Sequence, residues 1–384
     1  MKADAIIIGA GIIGMTLALA LSRSNKKVII LEKNLLASMK INRVYSISEK
    51  TKSFFEELEL WKEIEEINNL DHMNIYYRNF KPSNLLRFSE KNSKSSIGYI
   101  AQSKNISIAL LKKLESDDNI QILDNHEVRN IEEFEEKIKV EINNKKSIEG
   151  KYLFSCEGSN SIIKKKLEIN NMYDNYNSKA LVFNIEHKID NKNTAYQVFL
   201  KSGPVAFLPI SKNHFSMVVT VKNKFLEKKF FEEDNIKEFI KNITNNIFGE
   251  IKLTSNIISF DLVGFDSEKY KVKNIIFVGD SAHSVHPLAG MGLNLGVSDI
   301  IEIIDAINKK SLSFDARNIF SHYARKQKIV NRIARQQLKL IEAAYSIENK
   351  LAGKIVKSTM RGIQRSDFIK EKIIKHANNN LSFF

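Results

Sequence analysis

Two histidines and one aspartate stand close together in the stretch GDSAHSVHPLAGMGLNLG, which occupies residues 279–296. His283 and His286 could bind a metal or act as bases, but they lie three positions apart on a turn that is not helical. Apart from Asp280 there is no cluster of carboxylates or thiols nearby, and a metal site needs a larger set of ligands. We therefore expect no metal here, and we predict that the histidines form structural hydrogen bonds within the loop.

The same stretch concentrates glycines and a proline, although the chain has only 15 Gly and 4 Pro in 384 residues. It follows a strand-like apolar run and precedes a helical pattern that starts near Leu293. Gly290 and Gly292 would let a flat ring lie against bare backbone, and the helix N-terminus would favour negative charge on that ring. Asp280 could accept hydrogen bonds from the hydroxyls of a ribitol chain. A flavin has both features, whereas NAD has no ribitol.

A second glycine motif, GAGIIG, lies near the N-terminus between a predicted strand and a predicted helix. Gly9 permits a tight turn, Gly11 lets a pyrophosphate approach the backbone, and Gly14 lets the helix pack closely on the strand. Glu32 ends the next predicted strand, where a carboxylate can bind the ribose hydroxyls of an adenosine. This βαβ unit predicts a dinucleotide site at the N-terminus of the helix.

With these two motifs in place, the chain resembles the flavin-dependent aromatic hydroxylases, and most closely the hydroxylases of ubiquinone biosynthesis. The resemblance covers the chain from residue 3 to about residue 325. Six segments carry it: GAGIIG with Glu32, NRVYSIS with Arg43, IGYIAQS with Gln102, CEGSNSIIK at 156–164, GPVAFLPI at 203–210, and GDSAHSVHPLAGMGLNLG.

The resemblance implies an FAD-dependent monooxygenase that uses NAD(P)H and oxygen and hydroxylates an aromatic ring through a C4a-hydroperoxyflavin, with a polyprenylated phenol of ubiquinone biosynthesis as the expected substrate. The flavin carries this chemistry, so no catalytic side chain is predicted. The FAD contacts that the resemblance implies are Gly9, Gly11, Gly14, Glu32, Arg43, Gln102, Glu157, Gly158, Gly279, Asp280, Pro287, Gly290, Met291, Gly292, Leu293 and Asn294.

Two positions depart from the pattern of this family. Glu157 stands where the family usually has Asp, in an acid–glycine pair expected to serve both FAD and the nicotinamide donor, and Met291 stands where this subgroup usually has Gln. These departures leave open a non-catalytic FAD-binding scaffold in a quinone-synthesis assembly. A flavin-dependent reductase of prenyl groups on the same scaffold is a second alternative. A flavin-dependent halogenase is not favoured, because such enzymes usually carry a motif with two tryptophans and Trp61 is the only one here.

A substrate pocket is expected between the stretch 279–296, which would contact the flavin, and a predicted sheet with many apolar residues. Those side chains would suit an aromatic ring or a polyprenyl tail, although about half of them are equally consistent with a sheet core. The residues predicted to line the pocket are Phe199, Val205, Phe207, Leu208, Met217 and Val219.

The order of predicted strands and helices indicates an α/β fold. A Rossmann-like FAD-binding domain is expected to be interleaved with a mostly antiparallel β-sheet substrate domain and followed by a C-terminal helical segment. The predicted FAD-binding parts are residues 1–70, 99–177 and 266–316, the substrate-domain parts are 71–98 and 178–265, and the basic C-terminal helices occupy 317–384.

The formal net charge is +14, and from Arg317 onward the chain has 15 Lys and Arg but 4 Asp and Glu. Five of these basic residues recur at helical spacing and predict one basic face: Arg325, Lys328, Arg332, Arg335 and Lys339. A surface helix explains such a face, as does peripheral contact with an anionic membrane, while no nucleic-acid-binding motif accompanies it. With a single cysteine, Cys156, we expect a cytoplasmic protein. Further expectations are peripheral contact with the inner face of the cytoplasmic membrane through the basic helix and partners from quinone synthesis.

Overall fold

The computed structural model describes residues 1–36, 43–89, 96–143, 146–226, 232–284, 291–309, 319–346 and 350–378. The helices in these ranges are α1 (Ile12–Arg23), α2 (Glu49–Glu57), α3 (Ser103–Glu115), α4 (Ile162–Lys166), α5 (Glu233–Thr244), α6 (Met291–Lys309), α7 (Ser321–Ser346), α8 (Lys350–Arg365) and α9 (Asp367–Asn378). The strands are β1 (Lys2–Ile8), β2 (Val28–Leu31), β3 (Val44–Ile47), β4 (Asn68–Leu70), β5 (His72–Tyr77), β6 (Leu85–Ser89), β7 (Gly98–Gln102), β8 (Ile120–Leu123), β9 (Val128–Glu133), β10 (Ile138–Ile142), β11 (Ser147–Ser155), β12 (Asn171–His187), β13 (Thr194–Phe199), β14 (Pro204–Ser211), β15 (His214–Lys222), β16 (Ile251–Leu253), β17 (Ile258–Ser267), β18 (Lys271–Val272), β19 (Ile275–Phe277) and β20 (His283–Ser284).

The first sheet has the strand order β18-β19-β11-β1-β2-β8, with β10 and β9 attached through β11. Its central strands run parallel, since β1 pairs in parallel with both β2 and β11. These strands are short continuous apolar runs, as expected when both faces of a sheet are covered. One face packs against α1, α3 and α6, and the other packs against a separate apolar cluster. This is the predicted Rossmann-like domain.

The second sheet has the order β20-β17-β12-β15-β14-β13-β5-β6, and β16 pairs with β12. All of its pairs are antiparallel except β13 with β5, so the prediction of a mostly antiparallel sheet is confirmed. Strand β12 belongs to this sheet from Asn171 onward, before the boundary that the sequence placed at residue 177. Strand β20 also pairs with β17, so the stretch that begins at Gly279 joins the second sheet at His283 and Ser284.

The two faces of the second sheet have different coverings. Side chains alternate between faces along each strand, and one set packs in a core beneath α5, together with Ile236 and Ile240 of that helix. We call this the covered face. The opposite face carries Phe199, which stacks on Tyr345 of α7, and the half-buried side chains of Val182 and Val218. We call it the cleft face.

The amphipathic spacing of Phe54, Phe55, Leu58 and Trp61 predicts a helix over residues 51–67, but this helix is shorter in the structure. It begins at Glu49, where the Ser48 hydroxyl caps it by accepting a hydrogen bond from the Thr51 amide, and it ends at Glu57. Glu59 then takes a left-handed conformation with φ of 52°, which interrupts the helical hydrogen bonds. A short 3-10 turn and strand β4 follow. The apolar periodicity thus predicted the start of this helix but not its end.

The C-terminal helices pack on both parts of the fold. The Tyr323 hydroxyl on α7 donates a hydrogen bond of 2.7 Å to the Phe277 carbonyl oxygen of the first sheet. Farther along α7, Tyr345 stacks on Phe199 of β13 with ring centroids 5.3 Å apart. On α9, Ile374 packs against β6. Among the helices in the described ranges, none has the length and apolar character that a membrane span requires.

The basic face predicted for α7 is only partly exposed. Arg335 pairs with Asp174 and Asp266, and Lys339 pairs with Asp174 at 2.7 Å. Lys328 Nζ donates a hydrogen bond to the Glu268 carbonyl oxygen. Three of the five predicted basic side chains therefore bind the second sheet and its connection to β18, and they are not a free surface for lipid.

His187, at the end of β12, is a buried histidine within the core of the covered face. It is 3% exposed, and its ring stacks on Phe215 at 4.4 Å between centroids. Burial, and next the nearby His214, lower the pKa of His187 to about 4, although Asp190 and Glu186 act in the opposite direction. The ring is therefore neutral in the folded protein at neutral pH.

We expect His187 to make stability depend on pH between about 6.5 and 4. In that window the unfolded chain binds a proton that the folded protein does not. The free energy of unfolding therefore falls as the pH falls, by up to about 3 kcal/mol. Above about pH 6.5 the protonation of His187 no longer changes the free energy of unfolding. Urea unfolding followed by circular dichroism at several pH values measures it. The variant His187→Phe should lose this part of the slope, whereas His72→Phe, at an exposed position, should keep it. Equal slopes in both variants would contradict the assignment.

Candidate cofactor and active site

The GAGIIG turn is closed at its outer glycines and open at the middle one. Gly9 has φ of 102°, and a Cβ atom there would lie 2.6 Å from the Cys156 carbonyl oxygen. A Cβ at Gly14 would lie 2.0 Å from the Gly9 carbonyl oxygen, so helix α1 packs against the turn only because this residue has no side chain. At Gly11 an added Cβ meets nothing within 4 Å. The space in front of Gly11, at the N-terminus of α1, fits a pyrophosphate.

Glu32 lies beside this turn, as predicted from its position after β2. Its Oε2 accepts a hydrogen bond of 2.7 Å from the Ala10 amide, and its Oε1 accepts one of 2.9 Å from the Asn34 amide. The carboxylate therefore holds the glycine turn and the end of β2 together. This places a negative charge where the ribose of a bound dinucleotide would lie.

Glu157 has partners within the chain. Its Oε2 accepts hydrogen bonds from the hydroxyls of Ser155 at 3.0 Å and Ser161 at 2.7 Å, and its Oε1 accepts one from the Ile162 amide at 3.2 Å. It therefore caps the N-terminus of α4, where negative charge is favourable. Gly158 beside it has φ of 76°, with open space where a Cβ would stand. Although Glu157 stands where the family usually has Asp, it still supplies a carboxylate, and this carboxylate organises the turn.

The segment Gly279–Ser281 follows β19 in a short 3-10 turn at the carboxyl edge of the first sheet. The Gly279 amide donates a hydrogen bond of 2.9 Å to Asp299 Oδ2. Asp280 is solvent-exposed although it lies deep within the molecule, which means that it faces an internal cleft. Its burial among protein atoms raises the pKa of the carboxyl, while His283 and Arg43 lower it.

Arg43, Tyr45 and Asp280 lie close enough to interact. Burial raises the pKa of the Tyr45 hydroxyl, Arg43 acts against this through its charge and a hydrogen bond, and the charge of Asp280 adds to the rise. Arg43 precedes β3, which pairs with β7 so that Val44 stands opposite Gln102. The sequence reasoning missed Tyr45. Its position two residues after Arg43 on one strand face could have indicated it.

His283 forms a buried ion pair with Asp299. The His283 Nε2 to Asp299 Oδ2 distance is 2.7 Å, and both side chains are almost fully buried. Burial by itself would lower the pKa of His283, but the charge and hydrogen bond of Asp299 outweigh it, so the pKa is raised. This agrees with the prediction of a structural hydrogen-bonding histidine. His286 lies outside the described residues.

Asn294 ties the start of α6 to the segment that joins β3 to α2. Its Oδ1 accepts hydrogen bonds from the Ser48 amide at 3.0 Å and the Thr51 hydroxyl at 2.9 Å, and its Nδ2 donates one of 2.8 Å to the Ser46 carbonyl oxygen. Near it, Leu293 is buried in the core of the first domain, and an added Cβ at Gly292 meets open space. Pro287 and Gly290 lie outside the described residues, as does the side chain of Met291.

The structure changes the predicted substrate pocket. The side chains of Val205, Phe207, Met217 and Val219 are at most 1% exposed and pack in the core of the covered face. They point away from the cleft, because strand residues alternate between faces. Leu208 lies on the cleft face and is half-buried. The sequence showed the alternation in these strands but not which face α5 covers.

Phe199 is the other predicted pocket residue on the cleft face, and it packs on α7. The positions beside Leu208 on this face belong to central strands, yet they are only half-buried, which indicates open space in front of them. They are Val182 of β12, Ala206 of β14 and Val218 of β15.

These features define a protein with a Rossmann-like dinucleotide fold and an open cleft against a second sheet. Residues 2–312 match the FAD binding domain family (FAD_binding_3), and the chain belongs to this family. The resemblance to FAD-dependent aromatic hydroxylases is thereby confirmed, and FAD is the cofactor of this family. The open positions at Gly11, Gly158 and Gly292 fit such a group.

Two curated relatives have names from ubiquinone biosynthesis. The chain is 24% identical to the ubiquinone biosynthesis monooxygenase COQ6, mitochondrial, of Dictyostelium discoideum, over 77% of this chain and 74% of the relative. It is 23% identical to the ubiquinone hydroxylase UbiM of Neisseria meningitidis, over 85% of this chain and 74% of the relative.

Solved structures share the fold. The p-nitrophenol 4-monooxygenase PnpA of Pseudomonas putida has a TM-score of 0.81 at 13% identity, covering 100% of this chain and 99% of that chain. PqsL of Pseudomonas aeruginosa, in complex with 2-aminobenzoylacetate, has a TM-score of 0.78 at 18% identity, covering 92% and 99%. At these identities the likeness establishes the architecture.

Proposed function

We propose that this protein is an FAD-dependent monooxygenase that hydroxylates the aromatic ring of a polyprenylated phenol in ubiquinone biosynthesis. The observation that carries the proposal is the half-buried apolar wall that Val182, Ala206, Leu208 and Val218 form on the cleft face. A flat apolar ring fits between such a wall and a flavin. The names of the two curated relatives support the same reaction.

When bound, FAD supplies the chemistry that activates oxygen, and the residues of this chain bind and orient the reactants. Gly11 and Gly158 leave backbone open for the cofactor, and Glu32 carries the charge near its ribose. The exposed carboxylate of Asp280 would accept hydrogen bonds from the ribitol hydroxyls. The apolar side chains of the cleft face exclude water from the reacting ring. The remaining FAD contacts implied by the sequence are proposed on the same basis.

The electron donor is proposed to be NAD(P)H, and the test is the absorbance spectrum of the purified protein before and after anaerobic NADPH addition. We expect a two-band oxidised flavin spectrum that bleaches on addition. Air and a polyprenylated phenol should then restore the bands, with one hydroxylated product per oxygen consumed. A flavin that NADPH or NADH cannot reduce, with or without the phenol, would favour the non-catalytic scaffold, and saturation of a prenyl group without oxygen uptake would favour the reductase.

We also propose that the exposed sides of α7, α8 and α9 bind an anionic membrane surface, where such a phenol would dissolve. Leu340, Ile355 and Phe368 are 71%, 67% and 66% exposed on these three helices. Basic residues accompany them, including Arg332, which is exposed on α7. Apolar side chains among basic ones are typical of helices that lie on anionic lipid. Protein partners from quinone synthesis stay a prediction.

Sedimentation with lipid vesicles tests this second proposal. The protein should bind vesicles that contain phosphatidylglycerol, bind phosphatidylcholine vesicles weakly, and lose binding in high salt because charge attraction is screened. Replacing Leu340 and Phe368 together by Glu should lower binding by about tenfold or more. The matched control is Ile247→Glu, an exposed apolar residue after α5. Equal binding by both variants would contradict the assignment.

A further inference from the structure

We infer that the substrate's linear apolar chain lies across the strands of the cleft face and leaves the protein at the edge strand β17. This inference rests on the proposed function, because it assigns the part of the substrate that extends beyond the reacting ring. It is based on the pairing register of four strands and on the exposure of their side chains.

The register places four apolar side chains in one row across the sheet. Ala206 of β14 stands opposite Val218 of β15, Val218 opposite Val182 of β12, and Val182 opposite Ile258 of β17. Cross-strand partners share a face, so the row lies entirely on the cleft face. Neighbouring strands are about 4.8 Å apart, which makes the row about 14 Å long. That length accommodates several isoprene-sized units.

The exposure of the row increases toward β17. Ala206, Val218 and Val182 are half-buried, whereas Ile258 is 49% exposed. Phe260, two residues farther along β17, stands opposite Ala180 on the same face and is 40% exposed. The row therefore leads from the cleft to an open apolar edge.

The opposite end of the same row is closed. Ala206 stands opposite Gln197 of β13, which stands opposite Ile75 of β5. Ile75 lies in the cluster where Ile363 of α8 and Ile374 of α9 cover this end of the sheet. Within the described part of the chain, an extended ligand in the cleft thus finds an exit toward β17 and a wall toward β5.

The side chains on the two faces of β17 also favour an apolar chain as the ligand that binds along the row. The row and its neighbour Phe260 have no charged side chain, whereas the covered face of β17 carries Asp261 in an ion pair of 2.7 Å with Lys179. An isoprenoid chain needs no hydrogen bonds and gains from contact with such apolar side chains. Continuity with the cleft identifies the substrate's own chain as the occupant.

The experiment compares two phenols, one bearing a farnesyl chain and one without a chain, in wild type and in the variants Ile258→Glu and Phe260→Glu. Binding is read from the perturbation of flavin absorbance, and turnover from oxygen uptake. We expect the dissociation constant and KM of the farnesylated phenol to rise by about tenfold in each variant, because a charge disrupts apolar contact. The kcat and the binding of the short phenol should not change.

The matched control is Val263→Glu, which introduces the same charge on the same strand. Val263 is 46% exposed but lies on the opposite face of β17, so this variant should behave as wild type. An equal effect on both phenols, an equal effect in Val263→Glu, or conversion of a wild-type oligomer to monomers by Ile258→Glu would overturn the inference. Binding of the farnesylated phenol that depends on Ile258 but is never followed by hydroxylation would instead overturn the proposed function alone.

Discussion

Replacing Gly11 by valine is expected to abolish FAD binding and to leave the fold intact. Gly11 has φ of −70° and ψ of 174°, a conformation that L-residues adopt readily, and an added Cβ meets no protein atom within 4 Å. The valine side chain would instead fill the space proposed for the pyrophosphate. The lost charge-assisted hydrogen bonds should weaken FAD binding by about 100-fold or more. Titration of the apoprotein with FAD, followed by flavin fluorescence, measures this.

Two other glycines serve as controls for this prediction. Gly14→Val should prevent folding, because its Cβ would overlap the Gly9 carbonyl oxygen at 2.0 Å. Gly362→Val, on α8, places the same side chain in open space away from the turn and should retain FAD. If the folded Gly11→Val variant bound FAD as tightly as wild type, the pyrophosphate would have to lie elsewhere.

Replacing Arg335 by methionine is expected to destabilise the protein by about 3–5 kcal/mol. Arg335 is 10% exposed at its side chain and pairs with two carboxylates, Asp174 of β12 and Asp266 of β17. The side chain of Asp266 is fully buried. Removing the guanidinium leaves a buried negative charge without its counter-ion, which costs more than the ion pair contributes. Urea unfolding followed by circular dichroism measures the loss.

Arg332→Met is the matched control, since Arg332 is an exposed arginine on the same helix. It should change the free energy of unfolding by no more than about 0.5 kcal/mol. A second readout is flavin release, because Asp266 stands opposite His283 in the pairing of β17 with β20. Arg335→Met should therefore release FAD at a lower urea concentration than Arg332→Met. Equal stability of the two variants would show that the buried carboxylate of Asp266 needs no counter-ion from α7.

The buried side chains around Asp266 connect three parts of the molecule. The Tyr270 hydroxyl donates a hydrogen bond of 2.8 Å to Asp266 Oδ1, and the Tyr270 ring stacks on His283 at 5.9 Å. His283 in turn binds Asp299 on α6. Hydrogen bonds and ion pairs thus connect α7, through the second sheet, to His283 and Ser284 of β20. The position of α7 thereby supports the geometry of the segment Gly279–Ser284.

The sequence predicted the parts of the fold that depend on local pattern. Continuous apolar runs such as β1 predicted buried parallel strands, and the glycine spacing of GAGIIG predicted a turn whose outer positions admit no side chain. Glu32 was placed correctly because the end of β2 must lie beside that turn in a βαβ unit. These features depend on backbone conformation and on burial on both faces, which neighbouring residues determine.

Other features were decided only by the tertiary structure. The alternation in β14 and β15 is the same whichever face a helix covers, so the sequence alone could not separate Phe207 of the core from Leu208 of the cleft. The basic spacing of α7 predicted one face but not its partners. Asp174 and Asp266, distant in sequence, bind Arg335 because the second sheet brings β12 and β17 against that helix. The physical reason is that long-range strand pairing brings together residues that are distant in sequence. The residues adjacent to each of them in the sequence do not determine that contact.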